Sequence, residues 1–102
     1  EVIDWETFAE MKFLKYLDLS SNCLSTLNSK AFIGLVNLEE LYLSSNQISH
    51  IEQNTFNYLI NLKVLNLRQN KLQILCKDLF KNCIKLEEIQ LNFNQIHTVE
   101  QN

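Results

Sequence analysis

The sequence predicts an α/β-type solenoid: a curved, right-handed array of coils with a parallel β-sheet on its concave face and irregular or short helical turns on its convex face. Three observations predict this fold. Apolar residues recur every 24 residues along nearly all of the 102-residue chain. Each repeat contains a Leu-x-Leu alternation, which has the period of a β-strand. One asparagine occupies the same place in every repeat, at Asn22, Asn46, Asn70 and Asn94.

Each repeat reads Leu-x-x-Leu-x-Leu-x-x-Asn-x-Leu, then x-x-Leu, a phenylalanine and a final apolar residue. The repeats start at Leu14, Leu38, Leu62 and Leu86; a partial unit covers residues 1–13, and the last repeat is incomplete. The predicted strands are residues 16–20, 40–44, 64–68 and 88–92, within about one residue. One unit cannot bury its own leucines, so we expect stacked units to share a core.

Two further columns predict structural roles. At each asparagine the chain turns out of its strand, which leaves backbone groups without a partner in the sheet. An amide side chain can both donate and accept hydrogen bonds, so the asparagines predict a ladder between neighbouring coils. The phenylalanines predict a stacked spine on the far side of the coils: Phe8, Phe32, Phe56 and Phe80. Polar contacts to a substrate, or a cofactor or lipid box made of the rings, are the less favoured alternatives.

This pattern resembles the leucine-rich repeat in its 24-residue form, over essentially the whole chain. That form is common in extracellular proteins such as Toll-like receptors, variable lymphocyte receptors and small matrix proteoglycans. The resemblance implies a non-catalytic protein-interaction module: a ligand-recognition segment of an extracellular receptor of the innate-immune or adhesion type, with a protein ligand or co-receptor. The alternative is a set of scaffold or spacer repeats in a longer array.

Function is expected at the strand positions that the repeat leaves free, because these side chains project from the concave face. Tyrosine and arginine are over-represented among residues that carry binding energy, so Tyr16, Tyr42 and Arg68 are the expected anchors. The full set of candidate ligand-binding residues is Tyr16, Asp18, Ser20, Glu40, Tyr42, Ser44, Asn66, Arg68, Glu88, Gln90 and Asn92. In related receptors ligands are also held at the side edges, which adds Gln47, Lys71 and Gln95. A merely solvated face, with the partner bound elsewhere on a longer array, is the alternative.

Composition argues against other classes of function. The net charge is −3 and there is no basic tract, so we expect neither nucleic acid nor membrane contact within this segment. Gly34 is the only glycine, which excludes a glycine-rich phosphate loop. His50 and His97 fall in different columns, and no nucleophile and base share a column. We therefore expect no enzyme, no metal and no cofactor.

The cysteines and the chain ends bear on context. Cys83 replaces a core leucine and predicts a buried thiol, whereas Cys23 is expected to be partly exposed. A Cys76–Cys83 bridge is the less favoured alternative. The repeat frame is cut at Glu1 and Asn102, and the family's cysteine-rich caps are absent. We expect part of a longer secreted or membrane-anchored, extracellular or cell-surface protein, or self-association through uncapped ends.

Overall fold

The computed structural model describes residues 3–100, except for the side chain of Glu100, so the predicted frame ends at Glu1 and Asn102 lie outside the described residues. These residues form a β-solenoid with very little helix. Its elements are α1 (Glu6–Ala9), β1 (Tyr16–Asp18), β2 (Thr26–Leu27), β3 (Glu40–Tyr42), β4 (His50–Ile51), β5 (Val64–Asn66), β6 (Ile74–Cys76), β7 (Glu88–Gln90) and β8 (Thr98–Glu100). In the described part of the chain, no helix is long and apolar enough to span a membrane.

The main sheet, over the described residues, has four parallel strands in the order β1-β3-β5-β7. Leu17 is paired with Leu41, Leu41 with Leu65, and Leu65 with Ile89. Each partner lies 24 residues further along the chain, so every coil places its strand beside the strand of the preceding coil. Leu41 and Leu65 are fully buried and their strand neighbours are half-buried. The predicted solenoid with a parallel sheet is confirmed.

The predicted strand lengths were wrong, because each strand of this sheet has three residues and not five. The reason is the backbone turn that follows. Ser21, Ser45, Gln69 and Phe93 all have φ between 58° and 62°, a left-handed conformation that is incompatible with an extended strand. Hydrogen bonds between coils nevertheless continue beyond the strands. The Leu19 N–H donates to the Tyr42 carbonyl oxygen at 2.8 Å, and the Ser21 N–H donates to that of Ser44 at 3.0 Å.

Two short parallel pairs, β2-β4 and β6-β8, lie beyond the asparagine turns and were not predicted. Strands of two or three residues are too short to show a period of two in the sequence. The remaining far side consists of turns, as expected for residues 28–36, where the Ala31 N–H donates to the Asn28 carbonyl oxygen. Gly34 is required there: its φ is +88°, and a Cβ would overlap the carbonyl oxygen of Ala9 in the preceding coil.

The core combines the leucine columns with an aromatic stack. Phe32 and Phe56 are fully buried and stack at a centroid distance of 6.0 Å, and Phe56 stacks on Phe80 at 5.7 Å. The structure differs from the predicted spine at Phe8. Trp5 contacts the edge of Phe32 at 5.2 Å, and Phe8 packs on Trp5 at 6.2 Å. The α1 helix replaces the turn found in later coils, so the ring nearest Phe32 comes from a different position.

The asparagines lie between the two sheets and join neighbouring coils. Asn46 Nδ2 donates to the carbonyl oxygens of Leu43, in its own coil, and Leu19, in the preceding coil. Asn46 Oδ1 accepts a hydrogen bond from the Leu24 N–H at 3.1 Å. Asn70 and Asn94 repeat this arrangement one and two coils later. Each side chain therefore satisfies backbone groups that the turn removes from the sheet.

Candidate interaction surface

The strand face is the surface formed by the outward side chains of β1, β3, β5 and β7 and of the residues directly after them. The sheet register places the predicted residues side by side. Tyr16 is next to Glu40, and Val64 is next to Glu88; Asp18 is next to Tyr42, and Asn66 is next to Gln90. The column Ser20, Ser44, Arg68 and Asn92 lies beyond the three-residue strands, and Ser44 Oγ donates to Ser20 Oγ at 3.0 Å.

Two tyrosines form an aromatic pair on this face. The rings of Tyr16 and Tyr42 have centroids 5.3 Å apart at an angle of 44°, and Tyr16 is 56% exposed. The Tyr42 hydroxyl donates to Glu40 Oε1 at 2.6 Å. This hydrogen bond to a carboxylate, followed by burial and the Glu40 charge, raises the pKa of Tyr42 to about 12. Tyr42 therefore remains a neutral hydrogen-bond donor over the physiological pH range.

Several predicted contact residues already have intramolecular partners. Asp18 Oδ1 accepts a hydrogen bond from the Ser20 N–H, and Asn66 Oδ1 accepts one from the Arg68 N–H, both at 2.9 Å. These two side chains thus stabilise the backbone at the end of the strand. Gln90 Nε2 donates to Glu88 Oε2 at 2.7 Å. The tyrosine pair and Arg68 remain the predicted residues best placed to act as anchors.

Arg68 lies against an aromatic ring that the sequence analysis did not select. Its Cζ atom is 4.7 Å from the ring centroid of Phe93, which is 66% exposed. Phe93 occupies the left-handed turn position held by Ser21, Ser45 and Gln69 in the other coils. A bulky aromatic residue in a column of small or polar residues was the sequence signal that could have found it.

Charge is divided across the face. The strand edge, residues 15–18, 39–42, 63–66 and 87–90, carries five carboxylates against two lysines. Lys63 and Glu39 are 4.0 Å apart and exposed, so this ion pair adds little stability. The turn edge, residues 20–27, 44–51, 68–75 and 92–99, contains no aspartate or glutamate. Its cations are Arg68 and Lys71, so the two edges have opposite charge.

The other residues considered from the sequence lie outside the strand face. Gln47, Lys71 and Gln95 are exposed on the turn edge, as are His50 and His97 in separate coils. Cavities of about 990 Å³ and 370 Å³ open elsewhere, near Trp5 and Ile33 and near His50 and Cys76. Neither cavity has a lining residue from the candidate ligand-binding set. The strand face is thus an open surface suited to a macromolecule.

All three cysteines are free thiols. Cys83 is buried, and its Sγ lies 3.6 Å from the Phe56 carbonyl oxygen; burial raises the pKa of this thiol to about 11. Cys23 is exposed and Cys76 is half-buried. The predicted environments of Cys83 and Cys23 are confirmed, and the less favoured Cys76–Cys83 bridge is not formed.

Comparison with known proteins gives the class to which this fold corresponds. The coils, the parallel sheet and the asparagine ladder define a repeat solenoid that offers one broad, rigid face. The leucine rich repeat family profile matches residues 1–48 and 36–96, and the chain belongs to the leucine-rich repeat family. It is a protein-interaction module of a family that is generally non-catalytic.

A solved structure adds a closer comparison. In the crystal structure of a TLR13–ssRNA13 complex, one chain superposes with a TM-score of 0.88 at 38% sequence identity. The match covers 93% of this chain but 13% of that chain, so this chain spans a small part of its solved relative. No curated protein matches.

Proposed function

We propose that this chain is a ligand-recognition segment of a leucine-rich repeat receptor ectodomain, extracellular or endosomal, of the innate-immune or adhesion type. It acts by presenting side chains on a rigid sheet and performs no chemistry on the ligand. The observation that carries the proposal is the juxtaposition of the Tyr16–Tyr42 ring pair with the Arg68–Phe93 pair on the strand face. Aromatic residues and arginine supply most of the binding energy at protein interfaces.

A protein ligand fits this surface better than a single-stranded RNA. RNA is suggested by the TLR13 complex, whose title names it. Binding to a phosphate backbone depends on clustered basic residues, whereas the strand edge carries five carboxylates and the chain has a net charge of −3. A protein partner can instead place opposite charges against the two edges.

The test is a triple alanine variant of Tyr16, Tyr42 and Arg68. Peptides selected from a random display library on the wild-type chain serve as the probe. We expect the variant to lose at least about tenfold in affinity for these peptides, since each side chain is a proposed anchor. A matched control replaces Ser25, Ser49 and Gln73, which are exposed on the turn edge, with alanine.

The spacer alternative makes the opposite prediction. If these coils only separate binding sites elsewhere in a longer array, the selected peptides bind the triple variant and the control equally well. Circular dichroism and thermal unfolding of both variants show whether the fold is retained. A fully folded triple variant with unchanged affinity would overturn the proposal.

A further inference from the structure

The Arg68 side chain is held in place but has no partner for its charge. Its guanidinium lies 4.7 Å from the Phe93 centroid, and the residue is only half-exposed. Among residues 3–100, its N–H groups make no hydrogen bond and no ion pair, since only the Arg68 backbone N–H is engaged, by Asn66. A guanidinium fixed on a ring has already lost much of the freedom that binding an anion would cost it.

Phe93 is unfavourable for folding in two respects. It has φ of 61°, where a bulky side chain crowds its own backbone, and it exposes 66% of an apolar side chain to water. The equivalent residues Ser21, Ser45 and Gln69 avoid the second of these costs. Strained residues that expose an apolar group cluster at binding sites, where the strain serves recognition.

The surroundings of this pair suit an anion. Arg68 and Phe93 lie on the turn edge, which has no carboxylate in any coil and carries a second cation, Lys71. The neighbours of Arg68 in its column, Ser44 and Asn92, are neutral. An incoming anion therefore meets no like charge at the pair, and it finds unoccupied N–H donors beside an exposed aromatic face.

We infer that Arg68 and Phe93 form a carboxylate-binding anchor. Its occupant is an aspartate, glutamate or C-terminal carboxylate of a protein partner, with an aromatic or apolar side chain next to it. The planar guanidinium binds the carboxylate through paired hydrogen bonds, and the neighbouring side chain covers Phe93. A single carboxylate suits the face better than a polyphosphate, because the strand edge beyond Arg68 is acidic. The inference rests on the proposed function and names one feature of the partner.

Phenylacetate is the probe, because it carries a carboxylate one carbon away from an aromatic ring. It is titrated into the isotope-labelled full chain at constant ionic strength, and the Arg68 Nε–Hε resonance is followed by NMR. We expect a saturable shift. Phenylacetamide, which has the same shape without the charge, should bind at least about tenfold more weakly, since a charge-assisted bidentate pair is lost.

Three variants separate the anchor from general electrostatics. Arg68→Gln should abolish the saturable response, followed on the Phe93 ring resonances, and Phe93→Ser should weaken phenylacetate binding by about fivefold or more. Lys71→Gln removes the same charge from the same edge and should change the affinity by less than about twofold. Equal losses in Arg68→Gln and Lys71→Gln, equal binding of the amide, or no saturation would each overturn the inference.

Two further measurements keep this result distinct from the proposed function. The Tyr16→Ala, Tyr42→Ala double variant should still bind phenylacetate, even where it loses the display-selected peptides. Peptides that depend on the tyrosines but carry no acidic residue would support the proposed function and overturn the anchor. Binding of a single-stranded oligouridine that outcompetes phenylacetate at Arg68 would replace the protein carboxylate with an RNA phosphate and likewise overturn it.

Discussion

At the scale of single residues, the asparagine ladder shows how one side chain links two coils. Asn46 bonds to three backbone groups from two coils: the Leu43 carbonyl of its own coil, and the Leu19 carbonyl and Leu24 N–H of the preceding one. It is 5% exposed, so water cannot take over these bonds. A repeated amide is therefore a requirement of the turn, and the same atoms are not free to bind a ligand.

Asn46→Ala should lower the free energy of unfolding by about 1–3 kcal/mol for each buried backbone group left without a partner. Asn22→Ala is the matched control. Asn22 is half-buried, and its acceptor Leu19 O would still receive a hydrogen bond from Asn46. Denaturant unfolding of both variants measures the difference. Equal losses in the two variants would contradict the view that the bonds between coils dominate.

Tyr42 gives a prediction for alkaline pH. Its pKa is raised from 10.0 to about 12, chiefly by the hydrogen bond to Glu40, so the native state favours the protonated phenol. The stabilising contribution is complete below pH 10 and is lost as the pH rises through 12. The difference between ultraviolet titrations of the wild type and Tyr42→Phe isolates this group.

Glu40→Gln should bring the pKa of Tyr42 down towards its ordinary value, because both the charged acceptor and its field are removed. Glu88→Gln is the control, since the Glu88 charge is the smallest of the causes that raise this pKa. If Glu88→Gln lowered the Tyr42 pKa as far as Glu40→Gln, the Tyr42–Glu40 hydrogen bond would not be its main cause.

At the scale of elements, the strands are short because the turn after each one is fixed. The period of two in Leu-x-Leu continues through residues 19 and 20, so the sequence predicted five-residue strands. Periodicity reports which way side chains point, but it does not report the sign of φ. The left-handed residue in each coil is Ser21, Ser45, Gln69 or Phe93, and none of these is a glycine that would have marked the turn.

The aromatic stack is the element that a mutation can test most directly. Phe56 is fully buried between Phe32 and Phe80. Phe56→Ala should therefore cost about 3–5 kcal/mol of unfolding free energy. Phe8→Ala should cost clearly less, because Phe8 is half-buried and packs on Trp5 at the edge of the stack. Thermal unfolding that ranked Phe8→Ala equal to Phe56→Ala would favour the spine predicted from sequence.

At the scale of the whole molecule, the same spacing of 24 residues sets the sheet register, the asparagine ladder and the aromatic stack together. Each coil contacts mainly its two neighbours, so the array gains stability step by step along its axis. The repeat positions are occupied by residues that hold neighbouring coils together. The positions between them are free to vary, which leaves the strand face and its turn edge for recognition.

The sequence by itself determined the solenoid, its parallel sheet and the columns Leu17, Leu41 and Leu65, because burial selects apolar residues at each repeat. It also placed Tyr16 and Tyr42 in neighbouring coils. Only the tertiary structure decided that Trp5 would contact Phe32, that Asp18 would bond to its own backbone and that Phe93 would lie beside Arg68. Such contacts depend on backbone dihedral angles and on side-chain rotamers between coils, and a periodic pattern of apolar residues does not encode either.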